Sequence, residues 1–506
     1  MQRTAVIDMG SNSFRLVVFG YEPEDHWQHV DEIREAVRVG EGVGDDGLLL
    51  PEPMERAVRV AKVFSSFCRA SEIEDVTAVA TSAIRDAGNG QELLDRIRDE
   101  AHLEARVLSE QEEARYGYIA IANSTTLETG YGIDIGGGSV QITRIEDRRL
   151  ARAGSWPLGA VRMSERFLPD DDEASGKDLK ALRKHVRSVL DDESWIEPGD
   201  PARAAGIGGT IRNLASAAEK RAGLPQTDAQ GFNLTREALD ELIDELADMP
   251  PSKRGSVPGI KPDRGDVILG GAVVLGALMD RIGAEELEAT DAGLREGIFF
   301  EHFLEPADPP LFPDVRGSSV MNLAHRYQED LAHPRHVARL SLEILDGLRR
   351  AGLVDPGPED RELLWAAGML HDIGTAVDYD DHHKHSRYLI LNARLPGFTP
   401  RELYLIALIA RYHRKGEPDA SELGKLARKG DERRLALLAG TIRLAEQLER
   451  SRDQSVASVA VSSNDGEVRI DPHAPAEADV AIWSARRDSD LLARTLDRTV
   501  AIAPDR

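Results

Sequence analysis

Two aspartates stand at the head of short glycine- and serine-rich turns. Asp8 lies in Ile7-Asp8-Met9-Gly10-Ser11-Asn12-Ser13, and Asp134 in Ile133-Asp134-Ile135-Gly136-Gly137-Gly138-Ser139. Such turns expose backbone N–H groups with no side chain in the way, which makes a concavity for phosphate oxygens. An aspartate ending the preceding strand can hold a hydrated Mg2+ that bridges to the same phosphate. One glycine-rich turn is a weak signal, but here the arrangement occurs twice, 134 − 8 = 126 positions apart. A third turn, Gly206-Ile207-Gly208-Gly209-Thr210, leads into a helical pattern whose first amides offer another anion site. Adjacent Glu112 and Glu113, taken alone, read as a solvated helix face. Arg85 and Arg295, taken alone, read as partners in surface ion pairs.

The elements around these residues alternate. Both Asp turns are flanked by apolar, β-branched strands, so each unit reads strand, Asp, tight turn, strand. Between them the pattern predicts a helix over Glu52–Ala70, a strand over Val76–Thr81, and helices over Gln91–Ala101 and Glu110–Ala122. Further helices follow near Lys177–Asp191 and Thr235–Asp248, with a strand–turn–helix unit at Ala204–Ala217. This is α/β alternation, and two copies of the Asp turn imply two related domains facing one another across a cleft. The domains are expected at 1–125 and 126–305. A proline-rich linker, Leu304 to Pro313, then precedes a histidine-rich helical region over 311–452. The tail, 456–506, returns to short alternating stretches and reads as a small α+β segment.

The 506 residues carry a formal net charge of −26, which argues against nucleic acid or an anionic membrane as the partner. It also requires that any phosphate site reverse the field locally with arginine, lysine, metal and backbone N–H groups. The single cysteine, Cys68, excludes an internal disulfide and reads as a buried, inert thiol, so a cytoplasmic location is expected. The sequence predicts no signal peptide, because the strand Thr4-Ala5-Val6-Ile7 begins almost at the start. Val267 to Met279, the longest apolar run, is shorter than the roughly 20 residues needed to span a membrane and reads as a buried helix.

The motifs together resemble the exopolyphosphatase/guanosine-pentaphosphate phosphohydrolase family. The resemblance is carried by Asp8–Arg15, Ala80–Arg85, Glu112-Glu113-Ala114-Arg115, Asp134–Ser139, Leu158-Gly159-Ala160-Val161-Arg162, Gly208-Gly209-Thr210 and Leu294-Arg295-Glu296-Gly297, in family order. It implies two actin-like, ribonuclease H-like domains, Mg2+ or Mn2+ as cofactor, and Glu113 as general base for the attacking water. It also implies phosphate contacts from Ser11, Asn12, Ser13, Arg15, Arg85, Gly137, Gly138, Ser139 and Arg295, beside the helix-start site already read at Gly208, Gly209 and Thr210 and the metal read at Asp8 and Asp134. A polyphosphate or guanosine-polyphosphate substrate and a homodimer are expected on the same basis. Two positions depart from the family pattern. Ser109-Glu110-Gln111 replaces Ser-Gly before the glutamate pair, and Gln141 stands where a glutamate is usual, which predicts weaker metal binding or slower turnover.

In the helical region, His371-Asp372 resembles the namesake motif of HD-type phosphohydrolases. The resemblance places a divalent metal on His336, His371, Asp372 and Glu449, with Asp453 as the alternative closing ligand. Two readings stay open there. One is a second metal site; the other is an inherited scaffold whose segments His382–Ser386 and Arg411–Lys415 form a basic wall guiding a long substrate. For the whole chain, terminal phosphoanhydride hydrolysis is weighed against two alternatives. One is a kinase or ATPase of the same superfold; the other is a guanosine-polyphosphate-binding regulator with weak catalysis.

Overall fold

A computed structural model describes all residues except 44–46, 200–201, 226–228, 465, 475–477 and 504–506. The chain forms two compact units, divided between Val315 and Arg316.

The first unit contains two mixed sheets. One consists of β1 (Gln2–Met9), β2 (Ser13–Glu22), β3 (His26–Ala36), β4 (Asp75–Ala80) and β5 (Ala105–Val107), in the order β3-β2-β1-β4-β5. The other consists of β6 (Gly130–Ile135), β7 (Val140–Glu146), β8 (Arg149–Trp156), β9 (Ala204–Ile207), β10 (Phe232–Thr235) and β11 (Glu286–Ala289), in the order β10-β11-β9-β6-β7-β8. In each, the first three strands run as an antiparallel meander and the Asp-bearing strand then pairs parallel with the next. The internal echo in the sequence is therefore a repeated sheet topology, and the architecture is that of two actin-like domains.

Strand β1 is buried on both faces, which is why its apolar run does not alternate with polar residues. Ala5, Ile7 and Met9 join the core under the helices Pro51–Ala70 and Gly90–Ala101. Val6 faces the opposite way, into a core shared with Val17, Phe19, Ile145 and Ile207. That second core is filled by the helices Glu110–Ala122 and Leu294–Phe303, so both sheets rest on the same helix pair. The pair packs closely at Gly297, where an added Cβ would sit 2.1 Å from Tyr116 O.

The segment expected as a linker belongs to this unit. Asn123 Nδ2 donates to Pro310 O at 2.9 Å, and Phe312 N donates to Asn123 Oδ1 at 2.8 Å. Leu304, Leu311 and Phe312 pack on the shared core. The apolar run at Val267–Met279 is the buried helix Ile268–Ile282. Among the described residues no helix is long and apolar enough to cross a membrane.

The second unit is mostly helical, built on Ala332–Arg350, Pro358–Leu370, His382–Leu391, Pro400–Tyr412 and Asp431–Leu448. Its tail forms β12 (Ser458–Asn464), β13 (Glu467–His473) and β14 (Thr499–Ile502), with helices Asp479–Arg487 and Asp490–Leu496. Val459, Val468, Ile470, Leu492 and Ile502 join the same hydrophobic core as the helices. The tail is thus α+β but shares the helical unit's core.

Candidate active site

The capping of one helix separates the two adjacent glutamates. Ser109 is the N-cap of Glu110–Ala122 in a capping box: its side chain accepts from Glu112 N, while Glu112 Oε2 accepts from Ser109 N at 2.9 Å. Glu112 also meets Arg106, so its carboxylate is committed to the helix start. Glu113, one residue on, turns inward to Arg85, whose Nη1 lies 2.8 Å from its Oε2. The same Nη1 donates to Leu108 O at 3.1 Å, which ties Arg85 to the strand-to-helix corner. Burial holds the Glu113 carboxyl above the usual glutamate range, with Arg85 opposing and the charge of Asp8 adding to the effect. A carboxylate raised in this way is a stronger proton acceptor than an exposed one.

Asp8 ends β1, opposite Arg15 on β2, and accepts from Arg295 Nη1 at 3.0 Å. Asp134 ends β6, and burial followed by the charge of Glu113 pushes its carboxyl up to about 7. The charge of Asp8 acts on both Asp134 and Glu113, and that of Glu113 on Asp134, so the three carboxyls share one neighbourhood. The two turns meet there. Ser11 Oγ lies 3.1 Å from Ser82 Oγ, and a Cβ at Gly138 would stand 2.9 Å from Ser82 Oγ and 3.6 Å from Ser11 Oγ. Beside the paired turns opens a cavity of about 650 Å³, lined in part by Ser11, Asn12, Ser82, Gly137, Gly138 and Arg162.

Ser13 begins β2, and Asn12 O accepts from Arg38 N at 2.9 Å, so that backbone closes the first turn. In the second turn, Ala160 N donates to Gly136 O and Val161 N to Gly137 O, both at 2.9 Å. The start of helix Ala160–Phe167 therefore spends amides on holding the turn. Gly208 has φ +94 and brings the third turn against Asp134: a Cβ there would lie 2.6 Å from Asp134 Oδ1. Thr210 follows on helix Gly209–Ala222, with Oγ1 buried and without a hydrogen-bond partner. Gln141 is paired in register with Asp134 and donates from Nε2 to Ser139 Oγ at 2.8 Å. Where a glutamate would add charge, this amide orients the serine of the turn.

Cations gather at the site despite the acidic balance of the whole chain. Arg15 is held down to about 9 by burial and by the neighbouring Arg295 and Arg212. Lys261 is lowered by burial and by Arg15, Arg34 and Arg212. Cations that depress one another are relieved by an anion placed among them. Arg212, Lys261 and Ser82 were not singled out from sequence. Ser82 lies inside the Ala80–Arg85 motif, but Arg212 and Lys261 lack a motif and reach the site only through the fold. Glu296, next to Arg295, adds a buried Oε2 with no hydrogen-bond partner.

Residues 18–305 match the Ppx/GppA phosphatase family, and residues 315–477 match its domain III. The chain belongs to the Ppx/GppA phosphatase family. A family member from Aquifex aeolicus is 29% identical, with a TM-score of 0.51 over 59% of this chain and 96% of its own. An exopolyphosphatase from Cytophaga hutchinsonii is 23% identical, with a TM-score of 0.55 over 60% of this chain and 98% of its own. The latter likeness is one of fold.

In the helical unit of this family member, the structure departs from the ligand set expected from sequence. His336 Nε2 donates to Val456 O at 2.9 Å, and it lies 3.5 Å from Glu449, whose Oε2 is buried without a hydrogen-bond partner. Asp453 accepts from Ser455 N at 3.0 Å in an exposed turn. The residues beside His371 and Asp372 are His333 and Glu446, each three positions earlier on its helix or helix start. The i, i+3 spacing puts both candidates on one face, so sequence periodicity alone does not separate them. His382 and His413, read as part of a basic wall, are buried and point to Asp372 instead.

Proposed function

We propose that this phosphatase hydrolyses the terminal phosphoanhydride bond of inorganic polyphosphate or guanosine pentaphosphate, releasing orthophosphate. The observation that carries the reading is the Glu113 carboxylate, buried and fixed by Arg85 among Asp8, Asp134 and two facing phosphate-type turns. Glu113 takes a proton from water as the water oxygen attacks the terminal phosphorus. The bond from that phosphorus to its bridging oxygen breaks, and the shortened chain leaves with the bonding electrons on that oxygen. Arg15, Arg212 and Arg295 offset the charge of the phosphate oxygens, and the backbone of the two turns orients them.

Asp8 and Asp134 fit a Mg2+ or Mn2+ ion. Both are hard oxygen donors, and burial keeps both carboxyls above their ordinary range, with the charges of Glu113 and Asp8 adding at Asp134 and Arg295 opposing at Asp8. A bound divalent ion would neutralise phosphate oxygens and leave most of its own waters in place. The kinase alternative draws no support from this geometry, because the carboxylate fixed by Arg85 suits a water as acceptor.

The test is phosphate release from tripolyphosphate, long polyphosphate and guanosine pentaphosphate with Mg2+, comparing the wild type with Glu113→Gln. Losing the general base should cost about 100-fold or more in kcat with little change in substrate affinity. Retention of most activity would overturn the role of Glu113. Nucleotide binding with no release by the wild type would favour the regulator.

A further inference from the structure

Two local rules of stability are broken at one place in the first unit. On the sheet, Asp8, Arg15 and Arg34 stand directly opposite one another on β1, β2 and β3. Cross-strand partners share a face, and like charges directly opposite destabilise a sheet. Arg15 and Arg34 are such a pair. Across from them, the helix Gly209–Ala222 has no acidic residue in its first turn and carries Arg212 near its start. A helix N-terminus favours anions, so cations there work against the helix dipole. Arg264 adds another: a Cβ at Gly209 would meet its Nη2 at 2.6 Å. Lys261 N donates to Asn213 Oδ1 at 2.7 Å, which holds Lys261 beside the same helix.

The two walls meet at Arg34, which is paired with Asp263 on the segment that bears Lys261 and Arg264. Glu32 lies 3.4 Å from Arg15, but among the described residues Arg212, Lys261 and Arg264 have no ion-pair partner. Burial and the neighbouring arginines hold both Lys261 and Arg264 below their usual ranges. Asp8 stands at one end of the row, and Arg34 lies two strand spacings, roughly 10 Å, away. The cavity beside the turns has the opposite character. Its wall carries Glu41, Asp86, Glu165, Asp170 and Asp266, and its arginines, Arg38 and Arg162, lie 3.7 Å from Asp266 and Asp86. A polyanion whose end sits at Asp8 is therefore drawn along the cationic row and repelled from the cavity.

We propose that Arg34, Lys261 and Arg264 form an outer subsite for the phosphates behind the one being cleaved, and that it selects linear inorganic polyphosphate longer than tripolyphosphate. The inference rests on the hydrolase reading above and names the substrate class within it. A chain with a negative charge on every phosphate meets these cations in succession, and each contact relieves a repulsion already present in the free protein. Tripolyphosphate ends before the outer cations are reached. Guanosine pentaphosphate places a sugar and base behind its triphosphate, which interrupts the row of charges. Broken local rules with a common remedy are the mark of a binding site rather than of a poorly packed region.

The test reads binding rather than turnover. Tripolyphosphate, long inorganic polyphosphate and guanosine pentaphosphate are titrated calorimetrically, with Mg2+, into the full chain carrying Glu113→Gln. Per chain end, long polyphosphate should bind about 10-fold tighter than tripolyphosphate, and the advantage should shrink as salt rises. Lys261→Ala, at an exposed position, should lose several-fold of that advantage and leave tripolyphosphate affinity unchanged, while Lys261→Arg should keep it. Arg264→Ala should act in the same way, with thermal melting to show that the fold is retained. Equal affinity for the two chain lengths, or an equal loss on both in Lys261→Ala, would overturn the subsite. Guanosine pentaphosphate bound as tightly as long polyphosphate would overturn its selectivity. Phosphate release by the wild type is measured alongside: its absence would overturn the hydrolase reading, while the affinities decide the subsite independently.

Discussion

At the scale of single residues, the site divides labour between neighbours that look alike in sequence. Glu112 and Glu113 are adjacent carboxylates, yet one caps a helix and the other faces Arg85. The resemblance identified Glu113 as the base, but the reason Glu112 is unavailable lies in Ser109, three positions before it. Arg85 itself is engaged with Glu113 and Leu108 O, which makes it a positioning residue as well as a cation. Its charge opposes the burial that raises the Glu113 carboxyl. Arg85→Ala should therefore raise that carboxyl further. Because the base works only when ionised, the acidic limb of the kcat/KM–pH profile should move to higher pH, and Arg85→Lys should move it less. An unmoved limb would mean that another group sets it. Gln141 supports a second prediction. Gln141→Glu places a charge beside Asp134 in strand register, so it should lower the Mg2+ concentration needed for half-maximal phosphate release. If that concentration stays the same, the amide's bond to Ser139 already does what the glutamate does elsewhere.

At the scale of elements, the sequence was legible wherever local chemistry decides the outcome. The Asp turns, the strand β4 and the helix Glu110–Ala122 follow from apolar periodicity and turn residues. What periodicity could not supply was contact between elements distant in the chain. Arg212 comes beside Arg15 because β9 inserts next to β6, and Lys261 because its N–H donates to Asn213 Oδ1 at 2.7 Å, on the helix that follows β9. His333 and His336 share a helical face, and only the packing of their neighbours tells which meets Asp372. Gly159 shows how one such contact is enforced. Its φ is ordinary, but an added Cβ would lie 2.3 Å from Gly137 O and 2.4 Å from Ser139 N, inside the second turn. Gly159→Ala should cost about 1 to 3 kcal/mol by overpacking and should push the turn out of place. The expected readout is a raised KM for tripolyphosphate with a lowered urea midpoint. Gly176→Ala, where a Cβ meets nothing within 4 Å, serves as the control and should leave KM unchanged.

At the scale of the whole molecule, the chemistry proposed for the cleft resides in one unit. The three cores that support Asp8, Asp134 and Glu113 are made of residues up to Phe312, and about three fifths of this chain aligns with nearly the full length of solved relatives. A fragment spanning 1–315 should therefore fold cooperatively and release phosphate from tripolyphosphate. The sequence suggested that the helical unit adds a basic wall for long polyanions, and its own geometry weakens that idea. His382 and His413 turn inward to Asp372, while Lys384 and Lys415 are both paired with Asp381, at 2.6 and 3.0 Å. The buried imidazoles are out of reach of a passing anion, and the one carboxylate shared by the two lysines offsets part of their charge. Removing residues after 315 should thus leave the ratio of activity on long polyphosphate to that on tripolyphosphate unchanged, with the same dependence on salt. Comparing the full chain with the fragment across ionic strength decides the matter, since contacts between exposed charges weaken as screening increases. A selective, salt-sensitive loss on the long substrate would restore the wall and place its cations among residues other than these histidines and lysines.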